Sequence, residues 1–271
     1  MLKLLLIPVF LYAAILVLLF VFQTRLLFPA GFAENSGPVP ATARSLTLAT
    51  PDGETLHGLH IPPAAPRPGA PVILGFGGNA WNGAAAAAYL HRLYPEADVV
   101  VFHFRGYAPS TGSPSARALA ADALLVHDET ARLLPGRRIV AVGFSIGSGV
   151  AAHLAGQRPL AGLILVTPFD SLAKVAAAQY PWLPVRLLFR HEMHPARWLA
   201  ASQLPTAVVA AERDTLIPPA RTDALRRALP NLVFDRTVPG AGHNDIYDRP
   251  EFQAVMRVAL QRVERGGERV G

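Results

Sequence analysis

A chain of 271 residues can bury one substantial core and little more. It has no cysteine, which excludes a disulfide framework, a thiolate nucleophile and a zinc–sulfur site. Its net charge of +6 comes largely from arginines in short clusters such as Arg137-Arg138 and Arg226-Arg227. These are too small for a nucleic-acid-binding stripe and suit a solvated surface near anionic lipid.

From Leu4 to Phe22 no residue is charged, a run of 19 residues that is close to the roughly 20 a helix needs to cross hydrocarbon. Lys3 and the terminal amine precede it and Arg25 follows it. The run is too long for the apolar part of a signal peptide, and the nearest small-x-small site, Gly31-Phe32-Ala33, lies well beyond it. Residues 1–28 therefore read as an uncleaved transmembrane anchor. The charge balance favours a cytosolic N-terminus with the remaining chain outside. Residues 29–43, rich in Pro, Gly and Ala, read as a linker to a domain at 44–271.

That domain opens with two strands, 45–49 and 56–61, around the turn signal Pro51-Asp52-Gly53. Apolar runs at 71–76, 98–104, 138–142, 160–166, 206–211 and 232–236 then alternate with helical patterns at 84–93, 115–134, 146–156, 219–229 and 250–263. Leu119, Ala123, Val126 and Leu133 are the expected core face of the second helix. The alternation predicts an α/β fold, with a mostly parallel sheet covered by helices and an antiparallel hairpin at one edge. It breaks at 167–203, where Phe169, Tyr180, Trp182, Phe189 and Trp198 cluster. Residues 169–203 read as a small cap over a pocket beyond the strand ends, lined by Phe169, Tyr180 and Trp182. His191-Glu192-Met193-His194 lacks the H-E-x-x-H zinc spacing, and no metal site is expected.

Gly143-Phe144-Ser145-Ile146-Gly147 follows the strand at 138–142 and precedes a helix of small residues. A strand, a G-x-S-x-G turn and a helix are what a nucleophilic serine needs: the turn lifts the hydroxyl clear and the helix N-terminus faces developing negative charge. Serine also needs a base, and His243 in the glycine-flanked loop after 232–236 can carry an imidazole over the sheet. Asp214, directly after 206–211, is the acid expected to orient it, with Asp170 in reserve; Asp245 and Asp248 are expected to cap the last helix. The order Ser145, Asp214, His243 is nucleophile, acid, base. The amides of Ile146 and of Asn79, in the loop Gly77-Gly78-Asn79-Ala80-Trp81-Asn82, are the expected oxyanion donors. Gly77 and Trp81 of that loop are further pocket candidates.

With these residues assembled, the chain resembles the α/β-hydrolase superfamily, and more narrowly its membrane-anchored, serine-aminopeptidase-like branch, which includes the eukaryotic abhydrolase domain-containing proteins. Beyond the turn at Ser145 the resemblance rests on Gly77-Gly78-Asn79-Ala80, on Phe104-Arg105-Gly106-Tyr107-Ala108-Pro109-Ser110-Thr111-Gly112, on Thr167-Pro168-Phe169-Asp170-Ser171-Leu172, and on Gln23-Thr24-Arg25-Leu26-Leu27-Phe28-Pro29 after the anchor. Relatives typically write the first as His-Gly-Asn-Ala, so Gly77 stands where they carry a histidine that supports the loop without acting on the proton. The resemblance implies the α/β-hydrolase fold, the Ser145–Asp214–His243 triad, no cofactor, and a small-molecule or lipid-like substrate holding an ester, thioester or similar acyl bond. Two other readings remain: an aminopeptidase-like serine peptidase, and a non-catalytic membrane-tethered binding module. The peptidase would want acidic residues to bind a free amine, and the insertion offers only Asp170 and Glu192.

Overall fold

The computed structural model describes residues 2–33 and 38–267. A long helix, α1 (Leu2–Leu27), opens the chain and contains the apolar span Ile7–Leu27. At roughly 1.5 Å per residue its 26 residues reach about 39 Å. Phe28, directly after it, is buried, and so is Ala33, whose carbonyl accepts a hydrogen bond from Asn82 Nδ2 at 2.8 Å. The described part of the expected linker is thus pinned to the domain: a short 3-10 turn at Ala30–Phe32 carries the chain over Phe28, which packs into the core.

Strands β1 (Arg44–Ala49) and β2 (Thr55–Ile61) form the antiparallel hairpin, with Leu46 opposite Gly58. β3 (Val72–Phe76), β4 (Asp98–Phe102), β5 (Ile139–Phe144), β6 (Gly162–Val166), β7 (Thr206–Ala211) and β8 (Leu232–Val238) follow. They make one eight-stranded sheet in the order β1-β2-β4-β3-β5-β6-β7-β8. β2 pairs antiparallel with β4, and all pairings from β4 to β8 are parallel. β3 to β7 are buried along their whole length, which their continuous apolar sequences require of strands covered on both faces.

Two apolar layers flank the sheet. On one side α2 (Gly83–Leu93) and α9 (Pro250–Gly267) bury Ala87, Leu90, Phe252, Met256 and Leu260. On the other, α3 (Ala116–Leu133), α4 (Ile146–Ala155) and α8 (Pro219–Arg226) bury Leu119, Ala123, Val126, Val150 and Leu225. Leu133 is only half-buried, because the core face of α3 gives out before its last turn. Local chemistry starts the helices. Asn82 Oδ1 accepts the Ala84 amide at 2.8 Å to cap α2, and Ser115 Oγ accepts the Ala118 amide at 3.0 Å to cap α3.

The insertion between β6 and β7 forms three short helices, α5 (Leu172–Gln179), α6 (Val185–Leu188) and α7 (Pro195–Leu199). Strand register then settles where everything converges. Phe76 pairs with Gly143, Phe144 with Val166, Val166 with Val209 and Ala211 with Val238. The carboxyl ends of β3, β5, β7 and β8 thereby lie along one edge of the sheet, where an open α/β fold places its ligand site.

Candidate active site

Ser145 occupies the turn between β5 and α4 with φ +51° and ψ −118°, a backbone conformation that side-chain-bearing residues rarely adopt. The two flanking glycines make the turn possible. A β-carbon at Gly143 would strike the Gly147 carbonyl, and one at Gly147 would strike the carbonyl oxygens of Phe76 and Gly77. Packing of β5, α4 and the end of β3 thus holds the strained serine in place, with its amide donating to Val166 O at 2.9 Å.

Ser145 Oγ lies 2.9 Å from His243 Nε2, and His243 Nδ1 lies 2.7 Å from Asp214 Oδ2. All three residues are buried to within a tenth of their surface. Asp214 Oδ1 accepts the amides of Leu216 and Ile217 at 3.0 and 2.7 Å, so both carboxylate oxygens have partners and the side chain has one orientation. The loop carrying His243 is tied to the loop carrying Asp214: the Arg213 amide donates to Ala241 O at 2.8 Å, and the Gly240 amide to Glu212 Oε2 at 2.7 Å. Nearby, burial pushes the Tyr247 phenol up to about 12, so it stays neutral at physiological pH.

Asp245 and Asp248 do not cap α9. Asp245 turns back into the histidine loop, where Oδ1 accepts the Gly242 amide and Oδ2 pairs with Arg249 at 2.6 Å. An arginine four residues on competes successfully for that carboxylate, and Asp248 is absorbed in the 3-10 turn Ile246–Asp248. Asp170, the reserve acid, is buried and pairs through Oδ2 with Lys174 at 3.1 Å and Arg221 at 3.4 Å.

The loop after β3 passes directly beside the serine: a β-carbon at Gly78 would sit 3.8 Å from Ser145 Cβ. Asn79 follows in this loop, and its carbonyl accepts from Tyr107 Oη at 2.6 Å, which fixes the peptide plane. Ile146 is the first residue of α4, where an amide has no acceptor within the helix. The Arg105-Gly106-Tyr107 stretch acquires a physical meaning here. Arg105 is buried and forms a double ion pair, with Asp122 at 2.6 and 2.9 Å and with Asp52, anchoring the loop that delivers Tyr107. Sequence reasoning missed Tyr107, and its only signal was membership of that motif.

Of the expected pocket residues, Tyr180 and Trp182 border a cavity of about 580 Å³. Phe169 does not. It is fully buried against Gly149, inside the core. Trp81 points the other way, into an aromatic group with Tyr89, Phe144 and Tyr247 at centroid distances of 4.9–5.5 Å. Gly77 is buried, with the space above it taken by Trp81 and Ala86. The cavity is instead walled partly by α1, through Ile15, Leu19, Gln23 and Leu27, and reaches Asn79.

The fold and the convergence of loops at the strand ends define an α/β hydrolase. Residues 72–192 match the α/β hydrolase fold family. The chain is 36% identical over 226 residues to an uncharacterized protein of Mycobacterium tuberculosis, covering 78% of each. It is 29% identical over 178 residues to an uncharacterized membrane protein of Saccharomyces cerevisiae, covering 62% of this chain and 61% of the other. Among solved structures, an esterase of Pyrococcus furiosus superposes with a TM-score of 0.65 at 16% identity, covering 85% of this chain and 97% of the esterase; at that identity the likeness is one of fold. The chain belongs to the α/β-hydrolase superfamily.

Proposed function

We propose that this protein is a membrane-anchored serine hydrolase that cleaves an ester, thioester or similar acyl bond. The observation that carries the reading is the unbroken chain from Ser145 Oγ through the His243 imidazole to the Asp214 carboxylate, at 2.9 and 2.7 Å. Ser145 Oγ attacks the substrate carbonyl carbon while His243 Nε2 takes its proton. Asp214 holds the imidazole with Nε2 toward the serine and stabilises the imidazolium that forms. The Asn79 and Ile146 amides donate hydrogen bonds to the oxyanion. His243 returns the proton to the leaving group; water, deprotonated by the same imidazole, then attacks the acyl-enzyme, and the imidazolium gives that proton back to Ser145 Oγ as the acid leaves. The first proton moves between groups already in hydrogen-bond contact, Ser145 Oγ and His243 Nε2.

The anchor reading is supported by the apolar span Ile7–Leu27, by outward-facing Val17, Leu18 and Val21 along it, and by the yeast relative's description as a membrane protein. We place the catalytic domain on the extracytoplasmic side, from the charges around the span. The test uses a fluorophosphonate probe and short p-nitrophenyl esters on the full chain in detergent. Wild type is expected to label and to turn over, and Ser145→Ala to do neither. Undiminished labelling of Ser145→Ala refutes the mechanism. A wild type inert to probe and esters would favour the tethered binding module instead.

A further inference from the structure

We infer that α1 is a wall of the substrate site as well as an anchor: its inward face and the cap together enclose the groove that receives the acyl chain of a lipid-borne substrate. The inference rests on the hydrolase reading above. Ile15, Leu19, Gln23 and Leu27 recur every four residues, which places them on one stripe of the helix. That stripe is half-buried, whereas Val17, Leu18 and Val21 face outward. Opposite it stand Leu172, Val175, Ala176 and Leu183 of the cap, and between the two surfaces lies the cavity of about 580 Å³. Its size falls within the roughly 300–1,000 Å³ of ligand pockets, and its lining is predominantly apolar.

The two ends of the cavity identify its occupant. At one end is Asn79, the expected oxyanion donor, whose Nδ2 donates to the carbonyl of Leu27 at the end of α1. At the other end are Ile15 of the apolar span and Trp182, whose carbonyl accepts from Tyr12. Ile15 to Leu27 is a rise of about 18 Å. A groove that reaches Asn79, one residue past the glycine beside Ser145, runs along α1 and is lined mostly by hydrocarbon fits an extended acyl chain with its carbonyl at the Asn79 end.

The helix is fastened on either side of this space. Toward its N-terminus Tyr12 Oη donates to Trp182 O at 2.8 Å. Toward its C-terminus Gln23 Nε2 donates to Leu188 O at 3.0 Å and Gln23 Oε1 accepts the Arg190 amide at 2.8 Å, while Thr24 Oγ1 and His191 Nε2 share a hydrogen bond of 2.8 Å. A helix that only tethered the domain would have no use for an amide side chain spent on cap backbone. These polar pins hold α1 at a fixed distance from the cap and leave the apolar stretch between them open.

The test uses the full chain in phosphatidylcholine nanodiscs and a p-nitrophenyl series of acetate, butyrate, octanoate, laurate and palmitate. Leu19→Trp fills the groove from α1, Ala176→Trp fills it from the cap, and Val17→Trp adds the same bulk on the lipid face. Both groove variants are expected to lose about tenfold or more in kcat/KM on laurate. Their acetate hydrolysis and fluorophosphonate labelling should stay within about twofold of wild type, as should all values for Val17→Trp. An acyl-length profile for Leu19→Trp that matches wild type, or a loss equal on acetate and laurate, overturns the inference and leaves the hydrolase reading standing. A wild type that neither labels nor turns over any ester overturns the hydrolase reading, and this inference falls with it.

Discussion

Tyr107→Phe isolates one hydrogen bond in the machinery. The ring of Tyr107 is buried in the core and meets Phe104 edge-on at 5.9 Å, contacts that phenylalanine keeps. What is lost is the hydroxyl, which donates to Asn79 O at 2.6 Å. Burial pushes the phenol upward, so it is a proton donor at every working pH. An acceptor deprived of its partner in a buried site costs about 1–3 kcal/mol. Part of that is recovered if the Asn79 peptide rotates toward another donor, but rotation turns its neighbouring amides away from the oxyanion position beside Ser145. Deleting an oxyanion donor outright costs about 10²–10³ in kcat, so tilting the loop proposed to carry one should cost less, about tenfold or somewhat more. Tyr107 acts through the loop and does not touch the substrate, so kcat should fall with KM nearly unchanged. Steady-state kinetics on p-nitrophenyl acetate read the split, and the rate of fluorophosphonate labelling should fall in parallel, since its phosphoryl oxygen uses the same donors. A variant with lowered thermal stability and a kcat within about twofold of wild type would refute the positioning role and leave only a packing role.

Gly147→Ala places a β-carbon against the Phe76 and Gly77 carbonyls, two backbone groups of a fully buried strand end, so relief requires moving β3 or α4. A cost of about 3 kcal/mol is expected, seen as a melting temperature lower by roughly 10 °C in detergent, and a change under about 2 °C would contradict the packing argument. His103 is buried and its Nδ1 accepts the Gly83 amide at 3.3 Å. Burial first, then the nearby His57 charge, hold it at about 4. Because the unfolded imidazole takes its proton near 6.5, its contribution is full above that pH and drains away as pH falls toward 4, by about 3 kcal/mol. His91, His153 and His191 are shifted down by burial as well, so melting curves of His103→Gln between pH 7 and 4.5 should show a shallower acid loss than wild type, not its abolition. Parallel curves would refute it.

What the sequence alone disclosed about the site follows the range of the interactions that build it. Ser145 could be read because its turn needs glycines at fixed offsets, a constraint complete within five residues. Asp214 could be read because it directly follows an apolar run, and His243 because it sits in a glycine-flanked loop after the next one; a parallel sheet brings such strand ends to one edge whatever their separation in the chain. Asp245 was misplaced because helix capping is a local preference, and the Arg249 guanidinium and Gly242 amide, brought round by the loop, make better partners. The Tyr107 bond to Asn79 crosses 28 positions and depends on how Arg105 is pinned by Asp52 and Asp122, which no local pattern encodes.

The aromatic residues make the same point in the opposite direction. Phe169, Trp81, Tyr180 and Trp182 are alike in composition, yet Phe169 lies in the core, Trp81 packs half-buried among other rings, and the other two border the cavity. Ring size says that a residue seeks burial, and does not say under which layer. The role we infer for α1 is hidden in the sequence for a related reason. In a soluble helix an inward stripe stands out against polar neighbours, but a span that is apolar all round offers no such contrast. Tyr12, Gln23 and Thr24 break it, and all three turn toward the cap. Polar side chains inside an otherwise lipid-compatible helix are costly unless a partner waits for them. Their positions, not the apolar pattern, are therefore what marks the inward face, and they sit at the two ends of the cavity that the apolar residues between them line.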